Sequence, residues 1–179
     1  MQSTGEVIGL HSDPRAAMAK ALAAAALRPP SAADGGGLAL LSIAQRDKGL
    51  VAELAEALAT AGYRFCATSG TAATLRRAGF EAEELARVDE EETGKRSVID
   101  AIRSGEVGLV VNTPSPESRP MRDAGAIRRA ALNEGILCLT SIDTALAAAR
   151  ALDPQISNEL VDVRPLDEWL GLSEQLAAN

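Results

Sequence analysis

Aromatic side chains are scarce in this 179-residue chain: Tyr63, Phe65, Phe80 and Trp169 are the whole set. Four rings are too few for the stacking platforms on which single-stranded nucleic acids lie. A net charge of −7, from 18 basic and 25 acidic residues, gains little from the counterion release that drives binding to a phosphate backbone. Nucleic acid is therefore a poor match as a partner. Histidine occurs once, as His11, and cysteine twice, as Cys66 and Cys138. Two cysteines do not make a zinc site, and both fall in apolar runs that read as strands, so they are expected to be free core thiols. His11 precedes a helix start in what reads as a surface segment, which leaves no imidazole for metal catalysis. Apolar runs such as Ala21–Leu27 are far too short to span a bilayer. The opening residues lack a basic, apolar and small-residue signal pattern, so a cytoplasmic location without membrane contact is expected.

What remains is ordinary for a globular protein: 46% hydrophobic and 24% charged residues, and a length suited to about one domain with a core that needs no disulfide or metal staple. Asp13-Pro14 is a helix start, with a capping carboxylate followed by a proline whose missing N–H costs nothing there. An Ala-rich helix is expected over Arg15–Leu27, ended by Pro29-Pro30. Ser31–Gly37 (Ser-Ala-Ala-Asp-Gly-Gly-Gly) has linker composition. Its glycines precede a strand instead of joining strand to helix, so they fail the context of a dinucleotide fingerprint.

From Leu38 short apolar runs alternate with helical patterns, the mark of a parallel α/β sheet. Strands are expected at Leu38–Ile43, Arg64–Ala67, Leu85–Val88, Val107–Val111 and Ile136–Leu139. Helices are expected at Gly49–Thr60, Thr71–Ala78, Ser97–Ser104, Ala124–Asn133 and Asp143–Leu152. Leu160–Val163 adds a further candidate strand, and Pro165–Leu176 a terminal helix. The expected architecture is an open, five-stranded, parallel Rossmann or flavodoxin-like sheet with helices on both faces and an N-terminal helical extension. The corresponding segments are 1–30, the linker 31–37, the sheet domain 38–153 and a C-terminal extension 154–179.

Ligands of open α/β sheets bind beyond the carboxyl ends of the strands. That rule collects Ser42 and Lys48 after the first strand, Thr68-Ser69-Gly70-Thr71 after the second, and Arg87 at the end of the third. Asn112-Thr113 follow the fourth strand, and Thr140-Ser141 the fifth. Singly, each has a plain reading: Thr68 or Ser69 caps a helix, Lys48 is solvated, Asn112 holds a turn. Together they are the types an anion site needs. Helix N-termini offer unpaired amides and the positive dipole end, and small residues let an anion approach. Lysine occurs only three times, as Lys20, Lys48 and Lys95, against fifteen arginines, which singles out Lys48. Asp89–Glu92 reads as a solvated acidic loop. Of Arg128-Arg129, about 100° apart on a helix, one is expected to face solvent and the other to reach Asp123.

The runs Ala39-Leu40-Leu41-Ser42-Ile43 with Asp47-Lys48, Ala67-Thr68-Ser69-Gly70-Thr71-Ala72, Val110-Val111-Asn112-Thr113 and Ile127-Arg128-Arg129-Ala130-Ala131-Leu132 resemble the methylglyoxal-synthase-like domain. Within that superfamily the chain is most similar to the C-terminal allosteric domain of the carbamoyl phosphate synthetase large subunit. Met1–Gly9 is similar to the segment by which that subunit leaves its last ATP-grasp domain, so residues 1–30 correspond to the tail of that domain. The resemblance reaches to about Leu152.

It implies a regulatory module that is not catalytic by itself and needs no cofactor. ATP and Mg would serve the remaining domains of a glutamine-hydrolysing ligase that makes carbamoyl phosphate for pyrimidine and arginine synthesis. The implied effector is a nucleotide monophosphate of the UMP or IMP type. Family effector positions fall on Ser42, Lys48, Thr68, Thr71, Arg87, Asn112 and Thr113, within the wider phosphate-binding set that includes Ser69 and Gly70. Thr140 matches a position that touches ornithine in some members. The implied partners are the other domains of the large subunit and the glutamine amidotransferase small subunit, and a homo-oligomer is compatible with the family. The resemblance also implies that the chain is a piece of a longer polypeptide. Arg87 stands where a lysine is common, Pro114 replaces a second threonine, and the 89–96 loop is long and acidic.

Other readings are a stand-alone lyase resembling methylglyoxal synthase and a module that binds no ligand. The lyase needs a carboxylate base beside the phosphate, but the family's Gly-Gly-Asp motif is absent, with Thr93-Gly94-Lys95-Arg96 near its place, and no histidine matches. Kinship with the IMP cyclohydrolase domain rests on Ser69-Gly70-Thr71-Ala72 alone.

Overall fold

The computed structural model describes residues 6–27, 29–30, 35–87, 94–114, 121–156 and 161–177, the side chains of 121–123 and 172–177 excepted. Five strands, β1 (Leu38–Ser42), β2 (Arg64–Thr68), β3 (Ala82–Leu85), β4 (Val107–Asn112) and β5 (Leu137–Leu139), form one parallel sheet in the order β3-β2-β1-β4-β5. The helices are α1 (Pro14–Ala24), α2 (Val51–Thr60), α3 (Ser69–Arg77), α4 (Val98–Arg103), α5 (Met121–Asn133), α6 (Ile142–Ala151) and α7 (Leu166–Ala177), with 3-10 turns at Gln45–Leu50 and Pro154–Ile156.

The apolar runs make central strands because side chains alternate between two covered faces. Ala39 and Leu41 of β1 join Ala67 and Val111 under α2, α3 and α6. Leu40 joins Cys66 and Val110 under α4 and α5. Burial pushes the Cys66 thiol up to about 12, with Glu83 adding to the effect, so it stays protonated. Both cysteines are free, Cys138 being half-buried.

From β1 the chain proceeds outward to β2 and β3, and from β4 it proceeds the other way to β5. The sheet therefore divides between β1 and β4, whose last residues Ser42 and Asn112 lie in register. This switch point is where an open α/β sheet leaves a crevice, since the connections diverge on either side of it.

The N-terminal segment is docked onto this body. Ala16 and Ala19 of α1 pack with Ala151 and Ile156 beside α6, and the Tyr63 hydroxyl donates to the Pro30 carbonyl. Part of the linker-like stretch, residues 31–34, lies outside the described residues. Gly36 (φ +73°) does not behave as flexible composition suggests: a Cβ there would stand 1.9 Å from the Gly62 carbonyl oxygen, so its small size admits a close backbone approach.

Several sequence expectations are corrected. The third strand runs over Ala82–Leu85, three residues before the expected Leu85–Val88. Among the described residues it is an edge strand that pairs only with β2, and its Ala-Glu-Glu-Leu sequence needs little apolar content. Leu160 lies outside the described residues, while 161–163 form no strand and leave Val161 and Val163 exposed. The helix expected at Gly49 begins at Val51, after the polar 3-10 turn that holds Lys48. His11 is not a surface side chain: it is covered by Trp169 of α7, with ring centroids 5.2 Å apart, and its Nδ1 accepts from the Asp13 N–H. The acidic residues 89–92 and the Asp123 side chain lie outside the described residues, and Arg128 and Arg129 are both exposed. No described helix is long and apolar enough to cross a membrane.

Candidate functional site

A cleft of about 240 Å³ opens at the switch point. Ser42, Lys48, Thr68, Ser69, Gly70, Thr71, Arg87, Asn112 and Thr113 all line it. In a parallel sheet every strand ends at the same edge, so residues far apart in sequence meet there. Arg87 reaches the lining although it lies two residues beyond β3. Thr140 does not: it is exposed at the end of β5, outside this lining.

The floor of the cleft is hydrogen-bonded through two threonines. Thr71 Oγ1 accepts from the Ile43 N–H at 3.1 Å, tying the exit of β1 to α3. Thr113 Oγ1 accepts from the Ala44 N–H at 2.8 Å, tying the same segment to the end of β4. Both side chains are buried, so they shape the cleft as well as line it. The buried Asn112 amide donates to the Ala124 carbonyl at 3.2 Å. Its remaining polar capacity has no partner among the described residues.

The first turn of α3 is the polar wall. Thr68 holds the N-cap position in extended backbone (φ −63°, ψ 151°) but makes no capping hydrogen bond. The first amides of the helix, unsatisfied by helix geometry itself, thus lack the side-chain oxygen that usually serves them. Lys48 Nζ stands over this turn, 2.7 Å from where a Cβ on Gly70 would be. An ammonium at the positive end of a helix dipole is repelled, by about 0.3–1 kcal/mol for an exposed cation. Two positive poles aimed at one place are reconciled by an anion between them. None of the described lining residues is a carboxylate, in a chain whose net charge is −7.

The opposite wall is apolar and was not legible beforehand. Val98, the first residue of α4, and Ala124 and Ile127 of α5 line it, with Gln45 and Pro114 at the rim. The available signal was positional: α4 and α5 also begin at the strand-end edge, but the residues they bring to the lining are apolar.

The threonine ties make a stability prediction. Thr71→Val keeps the volume but strands the buried Ile43 N–H, and should cost about 1–3 kcal/mol in urea unfolding. Thr71→Ser, which keeps the oxygen, should recover most of that loss.

A family model described as MGS-like domain matches residues 50–140. The chain is 40% identical over 149 residues to the carbamoyl phosphate synthase large chain of Clostridium beijerinckii, covering 83% of this chain and 13% of that protein. It is 38% identical over 171 residues to the large chain of Mycobacterium tuberculosis, covering 94% of this chain and 15% of that protein. The large chain of Corynebacterium glutamicum is 36% identical over 170 residues, with the same coverages. The chain thus spans only about a seventh of the length of these relatives.

Proposed function

Because the chain belongs to the MGS-like domain family, we propose that it is the regulatory domain of a carbamoyl phosphate synthase large chain, binding a nucleotide monophosphate of the UMP or IMP type at the switch-point cleft. The observation that carries this reading is the uncapped first turn of α3 under Lys48, in a lining without described carboxylates. In this reading the α3 amides and Lys48 hold the phosphate. The Thr68 and Ser69 hydroxyls and Arg87 complete its shell, and Asn112 fixes the sugar side. Val98 and Ile127 offer an apolar wall to the base.

Regulation requires that the effector bind two states of the assembly with different affinity, a coupling of about 1–3 kcal/mol in typical cases. The path we propose runs from the end of β5 through α6 to α1, which packs on it. The receiving partners are the other domains of the large chain and, through them, the glutamine amidotransferase subunit, controlling ATP-dependent carbamoyl phosphate synthesis for the pyrimidine and arginine pathways. The proposed contact of Thr140 with ornithine lies on that path, between the end of β5 and the N-cap of α6.

Calorimetric titration of the folded chain with UMP, IMP and inorganic phosphate tests the binding step. Saturable binding of one nucleotide, tighter than phosphate alone, is the expected result. A folded chain that binds neither nucleotide would overturn the proposal.

A further inference from the structure

Helix α1 is held to the sheet body by small side chains. It has 11 residues, and its buried ones are Ala16, Ala19 and Leu22. A helix of that length is marginal by itself in water, and two buried alanines contribute little apolar area. A further set of contacts holds it, and they converge on Trp169 of α7.

The segment before α1 approaches it at backbone distance: a Cβ on Gly9 would stand 1.9 Å from the Ala17 carbonyl oxygen. Lys20, in α1, donates from Nζ to the Leu10 carbonyl at 3.3 Å and to the Asp162 carbonyl. One ammonium thus joins α1, the segment before it and the segment before α7. The same Nζ lies 5.0 Å from the centre of the Trp169 ring, and the Arg164 guanidinium lies 5.1 Å from it. Arg164 is fixed in turn by both carboxylate oxygens of Asp162, at 2.9 and 2.8 Å. Against the indole lies His11, its side chain only 5% exposed. Its Nδ1 accepts from the N–H of Asp13, the residue that caps α1.

The contacts therefore run from α7 through Trp169 and His11 to the first turn of α1. Yet α7 itself lies outside the body: Trp169 is its one described side chain that is not exposed. Elements with few buried apolar contacts open locally at lower free energy than the core, so α7 can lift while the sheet stays closed.

We propose that residues 161–170 form a clasp on residues 9–13, closed in this structure, and that lifting Trp169 out of it loosens α1 while the sheet stays folded. The clasp depends on no ligand of the cleft. Its bearing on regulation rests on the path through α1 proposed above, where a seated α7 would keep α1 tight and a lifted one would slacken it.

The chain carries its own reporters, since His11 and Trp169 are each the only residue of their kind. The test compares the wild type with Lys20→Met and Arg164→Ala, without nucleotide. It follows carbethoxylation of His11 by diethylpyrocarbonate, acrylamide quenching of Trp169 emission and amide hydrogen exchange by NMR. Lys20→Met keeps the apolar stem and removes the ammonium. Arg164 is exposed, so circular dichroism should report an unchanged fold for its variant. We expect the His11 rate to rise about tenfold in Lys20→Met and about threefold in Arg164→Ala. Quenching of Trp169 and exchange of the Ala17 and Ala21 amides should rise in step, while the Leu40 and Leu54 amides of β1 and α2 keep their wild-type exchange. If either folded variant leaves His11 protected, or releases Trp169 with the α1 amides unchanged, the clasp is refuted. Exchange that rises as much in β1 and α2 as in α1 would overturn it too, because that is global loosening. None of these failures touches the nucleotide reading, which the calorimetric titration tests separately.

Discussion

Replacing Lys48 with alanine should weaken nucleotide monophosphate binding by about ten- to a hundredfold, the range of one to two charge-assisted hydrogen bonds, while leaving the unliganded fold as stable as before or slightly more so. The second half of that expectation is the diagnostic one. A lysine that braced the structure would cost stability when removed. Lys48 is half-buried over the uncapped first turn of α3, without a described carboxylate partner, so in the empty protein it opposes the helix dipole. Its removal relieves that opposition and deletes a binding group. Gly70→Ala approaches the same geometry from the other side, because the added methyl would meet Lys48 Nζ at 2.7 Å. The ammonium swings away and the approach to the amides narrows, so binding should fall with little change in unfolding midpoint. Calorimetry for affinity and urea unfolding for stability check both variants. A Lys48→Ala chain that binds normally, or that loses stability and affinity in parallel, would contradict this account of the cleft.

Leu41→Ala should have the largest effect on the fold, about 3 kcal/mol within the usual span for such truncations. Leu41 has no exposed surface, sits in the central strand with neighbours on both sides, and packs under α2, α3 and α6. Rigid strands on either side limit how far the surroundings can collapse into the vacated space. Against the stability of about 5–15 kcal/mol usual for a domain, this is a large fraction. The urea midpoint should fall without a change in slope. Leu132→Ala, at a position 77% exposed, should change stability by less than about 0.5 kcal/mol. Since Leu41 precedes Ser42 and the Ile43 and Ala44 amides tied by Thr71 and Thr113, nucleotide binding should weaken as well.

The parts of the fold that were legible in the sequence are those fixed by burial on both faces. Leu38–Ser42 and Val107–Asn112 can hardly be anything but inner strands, and helix ends such as Gly79 (φ +89°) follow from the need for positive φ. The edge strand was misplaced because Leu85-Ala86-Arg87-Val88 is more apolar than Ala82-Glu83-Glu84-Leu85, and an edge position does not demand apolarity. The 3-10 turn at Gln45–Leu50 was missed because Gln-Arg-Asp-Lys-Gly carries no periodic apolar signal. The burial of His11 depends on α7, about 150 residues away along the chain, and local sequence has no access to such a contact. Nine residues of the cleft were legible because a parallel sheet brings its strand ends together whatever the lengths between them. The dual part played by Thr71 and Thr113, and the apolar wall of Val98 and Ile127, needed three-dimensional placement.

The most direct test of the central claim follows the backbone amides of Gly70 and Thr71 by NMR while UMP and then IMP are added to the isotopically labelled chain. If the first turn of α3 holds the phosphate, these two amides should shift saturably and among the most of any in the spectrum, with Lys48→Ala removing the response. Saturable shifts centred elsewhere, with Gly70 and Thr71 unmoved, would contradict the assignment of this cleft as the effector site.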